Sequence, residues 1–401
     1  MHSLLPIGDR AGSWSPRLSP LLVRLCRPLR HFVQRRVYRI SSINVSGIEQ
    51  LKSVLDQNCG VLLACNHVTC PDPFLLNAVA DLAGRPLYFM TAWQVFGTSP
   101  WLKQQVLRRL GCFSVDREGT DLRAFRTAID ILASRSHPLV VFPEGEMYHT
   151  NDRVMPFHEG AASMLLTAAR KSDRPVVCVP CALRYDYRAD PTPQLKAMLD
   201  RMERRFFWRP DHERSLTERI DRLAQAALAL KEIQHLGQTR PGTVAERVRH
   251  MCTTLLARLE QQFELQTDVQ NIPQRVKRLR QKVISQLVDL APGDPRRLEL
   301  QDVLDDVFLA VQLFSYPYEY LAESPTIERI AETIDKLEED VLGVPHATVR
   351  GTRRASVVIG EPIPIESRKN QQPSVPQLTE TIESRVQGLL DGLVENSASA
   401  S

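Results

Sequence analysis

Short apolar runs alternate with amphipathic stretches between residue 59 and about residue 188. The runs have the length of buried strands, and the stretches have the length and spacing of helices that cover a sheet. This alternation is typical of an α/β unit, in which helices flank a mixed, mostly parallel sheet. The predicted strands are 60–66, 86–91, 112–116, 138–142 and 175–183, and the predicted helices are 73–83, 99–110, 120–134 and 157–171.

Residues 188–350 follow a different pattern, rich in charge and in apolar residues at helical spacing. Two capping boxes mark helix starts, Ser215 with Glu218 and Thr243 with Glu246. We expect four to six antiparallel helices here, packed as a bundle or a long hairpin. A strand pattern returns at 355–363 and is followed by a helical one, so the helical region is an insertion. The predicted organisation is a basic amphipathic segment at 1–44, an α/β core at 45–188, the insertion at 189–350, a return to the core at 351–395 and a disordered tail at 396–401.

The N-terminal segment combines many arginines with apolar residues at helical spacing. Residues 18–37 predict a one-sided amphipathic helix that Pro28 interrupts or kinks. The arginines exclude a membrane-spanning helix and a secretory signal, and no other window is long enough to span. Two interpretations remain: a helix that lies on an anionic membrane, and a helix that covers the domain with a solvated face.

Net charge and cysteine content bear on two classes of partner, nucleic acids and metal ions. The formal net charge of +4 is small for 401 residues and gives no argument for a nucleic-acid partner. Eight cysteines without a regular framework suggest a reducing compartment. Cys65 and Cys70 flank His67, and Cys178 and Cys181 form a C-x-x-C pair, which allows a metal cluster in principle. Small buried thiols are the interpretation we favour, so no metal is predicted.

The stretch with the clearest chemistry is Asn66-His67-Val68-Thr69-Cys70-Pro71-Asp72. It leaves the carboxyl end of the strand 60–66, where ligands gather in α/β sheets. A turn across four intervening residues brings the Asp72 carboxylate to the His67 ring. The carboxylate then fixes the tautomer and stabilises the imidazolium, which makes His67 a general base for an alcohol. The alternative is structural: Asp72 before Pro73 is a good N-cap, and His67 is then an ordinary loop residue.

Three further blocks follow in order: Gly-Cys-Phe-Ser-Val-Asp-Arg at 111–117, Phe-Pro-Glu-Gly at 142–145 and Val-Val-Cys-Val-Pro-Cys at 176–181. With the His67/Asp72 segment they resemble the four blocks of the glycerolipid acyltransferase family, which includes the 1-acylglycerol-3-phosphate acyltransferases. The resemblance implies an O-acyltransferase of phospholipid biosynthesis with the H-x4-D motif. His67 and Asp72 would be its catalytic residues.

The resemblance also implies a binding role for Glu144 and Gly145, which in the family help to hold the acceptor. The family commonly continues with Thr-Arg, whereas Glu146 and Met147 follow here. Arg117 matches the basic residue of the second block and would hold a phosphate, with Arg153 as a further candidate. The alternative for both arginines is an ordinary surface ion pair.

The resemblance thus predicts transfer of a fatty acyl group from acyl-CoA or acyl-ACP to a hydroxyl of a lysolipid, by default 1-acylglycerol-3-phosphate. No cofactor is expected beyond the thioester co-substrate. We expect a cytoplasmic protein on the inner face of the membrane, whose partners are the donor, acyl carrier protein where it is the carrier, the acceptor and an anionic membrane surface. Two other functions stay open: acyl transfer to another alcohol or amine, as in a glycolipid or aminolipid, and a non-enzymatic lipid-binding scaffold.

Overall fold

The computed structural model describes residues 12–117, 121–266, 272–291, 293–316 and 318–398. Within these residues the chain divides into two compact units. The first contains residues up to 190 and resumes at 349, and the second contains residues 191–348. The chain therefore leaves the first unit once and returns to it.

The first unit is built on one sheet, whose eight strands lie mainly where apolar runs occur in the sequence. The strands are β1 (Ile40–Ser46), β2 (Gly60–Cys65), β3 (Tyr88–Ala92), β4 (Cys112–Val115), β5 (Leu139–Val141), β6 (Val176–Tyr187), β7 (Arg353–Ile359) and β8 (Ile363–Ile365).

The strand order is β1-β7-β6-β2-β5-β3-β4, with β8 also paired to β6. β6 is parallel to β2 and antiparallel to both β7 and β8, and the other pairs are parallel. The prediction of a mixed, mostly parallel sheet flanked by helices is confirmed. β1 was not predicted, because its residues alternate between exposed and half-buried after Ile40 and form no apolar run.

In the residues that the structure describes, eight helices precede β6. They are α1 (Pro20–Leu25), α2 (Arg27–Arg36), α3 (Ile48–Asp56), α4 (Asp72–Ala83), α5 (Trp93–Gly97), α6 (Trp101–Arg109), α7 (Leu122–Ser134) and α8 (Gly160–Lys171). The N-terminal amphipathic helix is divided at Cys26, two residues before Pro28. The predicted helix at 99–110 begins later, at Trp101, because Pro100 is its N-cap.

The second unit contains seven helices in its described residues, more than the four to six predicted. They are α9 (Thr192–Arg205), α10 (Leu216–Leu236), α11 (Val244–Gln262), α12 (Ile272–Asp289), α13 (Arg296–Phe314), α14 (Tyr318–Glu323) and α15 (Ile327–Leu342). Both predicted capping boxes are present, at the starts of α10 and α11. One core cluster joins α10, α11, α12 and α13.

Three buried carboxylates in this unit each bind an arginine of the next helix with two hydrogen bonds of 2.6–3.0 Å. We call these pairs the helix clamps: Glu203–Arg219, Glu232–Arg247 and Glu260–Arg275. The arginines recur every 28 residues and stand one position before Ile220, Val248 and Val276. The clamps therefore show a repeat that apolar spacing alone does not reveal.

After β7 and β8 the chain ends in α16 (Val375–Ala398). This helix includes residues 396–398 of the predicted tail, and residues 399–401 lie outside the described residues. Side chains of α7, α8 and α16 pack on one face of the sheet, and those of α3 and α4 pack on the other. No helix in the described residues is long and apolar enough to cross a membrane.

Candidate functional site

The histidine and the aspartate of the H-x4-D segment are in direct contact. β2 ends at Cys65, and α4 begins at Asp72, so the intervening loop folds back on itself. Nδ1 of His67 lies 2.7 Å from Oδ2 of Asp72. The His67 side chain is 20% exposed, whereas that of Asp72 is fully buried. The sequence therefore predicted both the position of this pair and its contact.

Asp72 does not cap the helix, so the N-cap interpretation is wrong. The N-cap of α4 is Pro71, and Asp72 is the first helical residue. Its Oδ2 accepts hydrogen bonds from the backbone N–H groups of Val68 (2.8 Å) and Thr69 (3.0 Å) in addition to His67. These donors, together with the positive end of the helix dipole, stabilise the ionised carboxylate in a fully buried place.

Sequence reasoning missed Tyr185, whose hydroxyl donates a 2.6 Å hydrogen bond to Oδ1 of Asp72. Tyr185 lies near the end of β6, and its side chain is almost fully buried. Burial raises the pKa of Tyr185 well above 10, and the negative charge of Asp72 raises it further. Tyr185 is therefore a neutral donor. The available signal was a buried carboxylate that needs donors and a tyrosine just past the apolar run of β6.

Phe142 fixes the plane of the histidine ring. The two rings stack with centroids 4.1 Å apart and planes 19° from parallel. The stack and the Nδ1 contact together leave Nε2 as the ring nitrogen that no described residue binds. This nitrogen is the one that can exchange a proton with a bound substrate.

Glu144 lies beneath this loop rather than in an open acceptor pocket. It is fully buried, and its two oxygens accept hydrogen bonds from the backbone N–H groups of His67 (2.8 Å) and Met155 (3.2 Å). Burial raises the pKa of Glu144 from an ordinary value of 4.5 to about 8, although the two backbone donors oppose the shift. The nearby charges of Asp72 and Glu383 raise the pKa further. Glu144 thus holds two loops together.

Gly145 makes a turn that requires glycine. Its φ is +76°, and a Cβ at this position would lie 2.8 Å from the ring of His158. Its carbonyl oxygen accepts a hydrogen bond from Nη1 of Arg117. The same Nη1 lies 3.0 Å from Oε2 of Glu146, with both side chains about one-third exposed. Arg117 therefore reaches the glycine turn and forms an ion pair there, as the alternative of a surface ion pair would have it.

Arg153 lies in a segment that connects the site to the sheet. Its side chain is half-buried. Two residues before it, Asn151 accepts a hydrogen bond from the backbone of Tyr185 (2.7 Å). Two residues after it, Met155 donates to Glu144. The backbone of Arg153 is thus beside the site.

The cysteines do not assemble into a metal centre. Cys65 and Cys181 are neighbours across β2 and β6, and both are fully buried. Burial raises the pKa of Cys65 well above 9. The part of the chain that the structure describes contains no group of three His, Cys, Asp or Glu residues arranged to bind a metal.

Residues 42–184 match the family model described as Acyltransferase. The matched range contains all six site residues proposed from the sequence and ends one residue before Tyr185. It supports the resemblance to the glycerolipid acyltransferases and, more generally, acyltransferase activity. No curated protein matches the chain.

Proposed function

We propose that the protein transfers a fatty acyl group from a thioester to a hydroxyl group, with His67 as the general base. The observation that carries this proposal is the 2.7 Å contact between Nδ1 of His67 and a fully buried Asp72. A ring nitrogen bound to a fixed carboxylate has one tautomer, in which Nε2 accepts a proton.

The reaction needs no covalent enzyme intermediate. Nε2 of His67 takes the proton of the acceptor hydroxyl as the oxygen attacks the thioester carbonyl carbon. The tetrahedral intermediate collapses, the carbon–sulfur bond breaks, and the thiolate leaves with the proton returned by His67. Asp72 stabilises the imidazolium between the two steps and does not itself take the proton.

The donor in this proposal is acyl-CoA or acyl-ACP, and the default acceptor is 1-acylglycerol-3-phosphate. Arg117 is the group that supports a phosphate at the glycine turn, since a guanidinium binds phosphate through two parallel hydrogen bonds. The Arg117–Glu146 ion pair favours a second candidate, an uncharged or amine acceptor, because Glu146 already compensates the arginine charge. Glu146 would then bind a hydroxyl or an ammonium group.

We further propose that α1 and α2 rest on an anionic membrane. Four large apolar side chains on these helices are 60–68% exposed: Leu21, Leu25, Leu29 and Phe32. Exposed arginines lie among them, including Arg24, Arg35 and Arg36. An apolar row with arginines suits an interface of acyl chains and anionic headgroups.

The N-terminal segment contacts the helix that begins at Asp72. Arg30 of α2 forms an ion pair of 3.1 Å with Asp81 of α4. Tyr38 contacts Phe74, two residues after Asp72, with ring centroids 5.2 Å apart. These two contacts join the N-terminal segment to α4, whose first residue is Asp72.

The deciding experiment is acyl transfer from labelled acyl-CoA and acyl-ACP to a panel of lysolipids, with wild type and His67→Ala. We expect transfer by the wild type and none by the variant, whose fold is checked by circular dichroism. His346→Ala, at an exposed position of the second unit, is the matched control. Turnover by a folded His67→Ala protein would rule out the mechanism, and absence of transfer to every acceptor by the wild type would favour the scaffold.

A further inference from the structure

We propose that Tyr185 is a positioning residue for this reaction, because its hydroxyl holds Oδ1 of Asp72 so that Oδ2 stays aligned with His67. The proposal rests on the acyl transfer proposed above. It extends the His67–Asp72 pair to a third side chain, which comes from a strand 113 residues further along the chain.

The hydroxyl is placed by contacts on both sides of the strand. The side chain of Asn151 bonds both the backbone N–H and the backbone carbonyl of Tyr185, as a neighbouring strand would. The guanidinium of Arg353, on β7, lies over the tyrosine ring at 5.0 Å from its centroid. Two elements outside the H-x4-D loop therefore fix the position of the hydroxyl.

The two oxygens of Asp72 have different donors. Oδ2 accepts from His67, Val68 and Thr69, whereas Tyr185 is the one described residue that donates to Oδ1. Because Asp72 is fully buried, water does not replace a lost donor without rearrangement. Removing the hydroxyl leaves Oδ1 without this donor and the carboxylate less rigidly held, while Oδ2 keeps its contacts with His67, Val68 and Thr69.

The Tyr185 hydroxyl also lowers the negative charge on the Asp72 oxygen that contacts His67. A hydrogen bond to Oδ1 draws negative charge away from Oδ2. Without this hydrogen bond, Asp72 attracts the protonated imidazole more strongly. His67 then stays protonated, and cannot act as a base, up to a higher pH. The acid limb of the pH–rate profile should therefore move to higher pH, a change that loss of stability alone does not cause.

The test is Tyr185→Phe, which keeps the ring in its place. We expect kcat to fall about tenfold with little change in the KM for the donor, since one hydrogen bond to a charged group is lost. We also expect the acid limb of kcat/KM to move upward by a few tenths of a pH unit or more. Tyr88→Phe is the matched control, because Tyr88 is buried at the opposite, amino end of β3.

A second variant preserves the hydroxyl in case the phenylalanine variant folds poorly. 3-Fluorotyrosine at position 185 is a stronger donor, so the acid limb should move to lower pH. A folded Tyr185→Phe protein, or the fluorotyrosine protein, with the kcat and pH profile of the wild type would overturn the positioning role. Absence of acyl transfer by the wild type would overturn the proposed function instead, so the two failures are distinct.

Discussion

Arg117 and Glu146 form an ion pair across the glycine turn at the candidate site, with Nη1 3.0 Å from Oε2. The pair gives a direct test of the acceptor. If Arg117 binds a phosphate, Arg117→Ala should raise the KM for a phosphorylated acceptor more than tenfold, a loss of over about 1.4 kcal/mol. Glu146→Gln should lower that KM, because it removes the competing carboxylate. Steady-state kinetics with lysophosphatidate and a neutral lysolipid measure both effects.

The control for this prediction is Arg126→Ala on the exposed surface of α7. Should Arg117→Ala leave lysophosphatidate kinetics unchanged while Glu146→Gln impairs an uncharged or amine acceptor, the phosphate assignment is wrong. His67 would keep its role in either case, since its contacts do not involve Arg117.

Asp72→Asn should lower kcat by about 10³–10⁴ with the fold intact, because an amide no longer fixes the productive tautomer of His67. A purely structural Asp72 predicts a different result, in which any loss of activity follows a loss of stability. Kinetics together with a thermal melt separate the two. Asp130→Asn on the exposed face of α7 makes the same chemical change away from the site and should be silent.

The raised pKa of Glu144 implies that the stability of the fold depends on pH. Its pKa is raised from 4.5 to about 8 in the folded chain, so the folded state binds a proton that the unfolded state has lost. Stability should therefore fall as pH rises from about 5 to 8, by about 1.4 kcal/mol per pH unit from this group. Urea unfolding of the wild type and Glu144→Gln measures the difference in slope. Equal slopes in the two proteins would contradict the prediction, and Glu159→Gln, at an exposed position, is the control.

The exposed apolar row of α1 and α2 predicts binding to anionic vesicles. Leu25→Glu combined with Phe32→Glu should reduce cosedimentation with vesicles of an anionic phospholipid at least tenfold. Binding by the wild type should weaken with salt, since the Debye length falls to about 8 Å at physiological ionic strength. Leu298→Glu changes a side chain that is 73% exposed on α13 and should have no effect. Equal vesicle binding by all variants would show that α1 and α2 do not bind the membrane through this row.

The helix clamps predict a large cost for removing one partner. Glu232→Ala leaves Arg247 buried without its carboxylate and should destabilise the protein by about 3–5 kcal/mol. Replacing both residues, as Glu232→Leu with Arg247→Met, should recover much of this loss. Chemical denaturation compares them with Glu213→Ala, an exposed control. A Glu232→Ala variant as stable as the wild type would show that the clamp contributes little.

The sequence predicted the parts of the site that depend on local spacing. The apolar run before His67 placed it at a strand end, and five positions bring Asp72 back to it. Long-range partners were not predictable in this way. Asn66, for example, exchanges two hydrogen bonds with the backbone of Leu183, 117 residues away. Only the register of β2 against β6 reveals such a contact.

Glu144 shows a second limit. A carboxylate beside a glycine turn suggests a group that faces a ligand, and the resemblance implied this role. The structure turns both oxygens toward backbone donors of His67 and Met155. The direction of the Glu144 side chain depends on its burial. That burial depends on how its own loop packs against the loops of His67 and Met155.

The regular interval between the helix clamps has a consequence for how this part of the chain can change in length. Each clamp joins a carboxylate to an arginine 15 or 16 residues later, at the start of the next helix. Removing residues 233–260 would set Glu232 the same 15 residues before Arg275. An in-frame loss or duplication of one such 28-residue unit, a helix with its connecting loop, therefore conserves the pairing of charges at the junction, whereas a shorter indel there leaves an arginine without its carboxylate. Relatives of this chain should differ in length here by whole units of one helix and its loop.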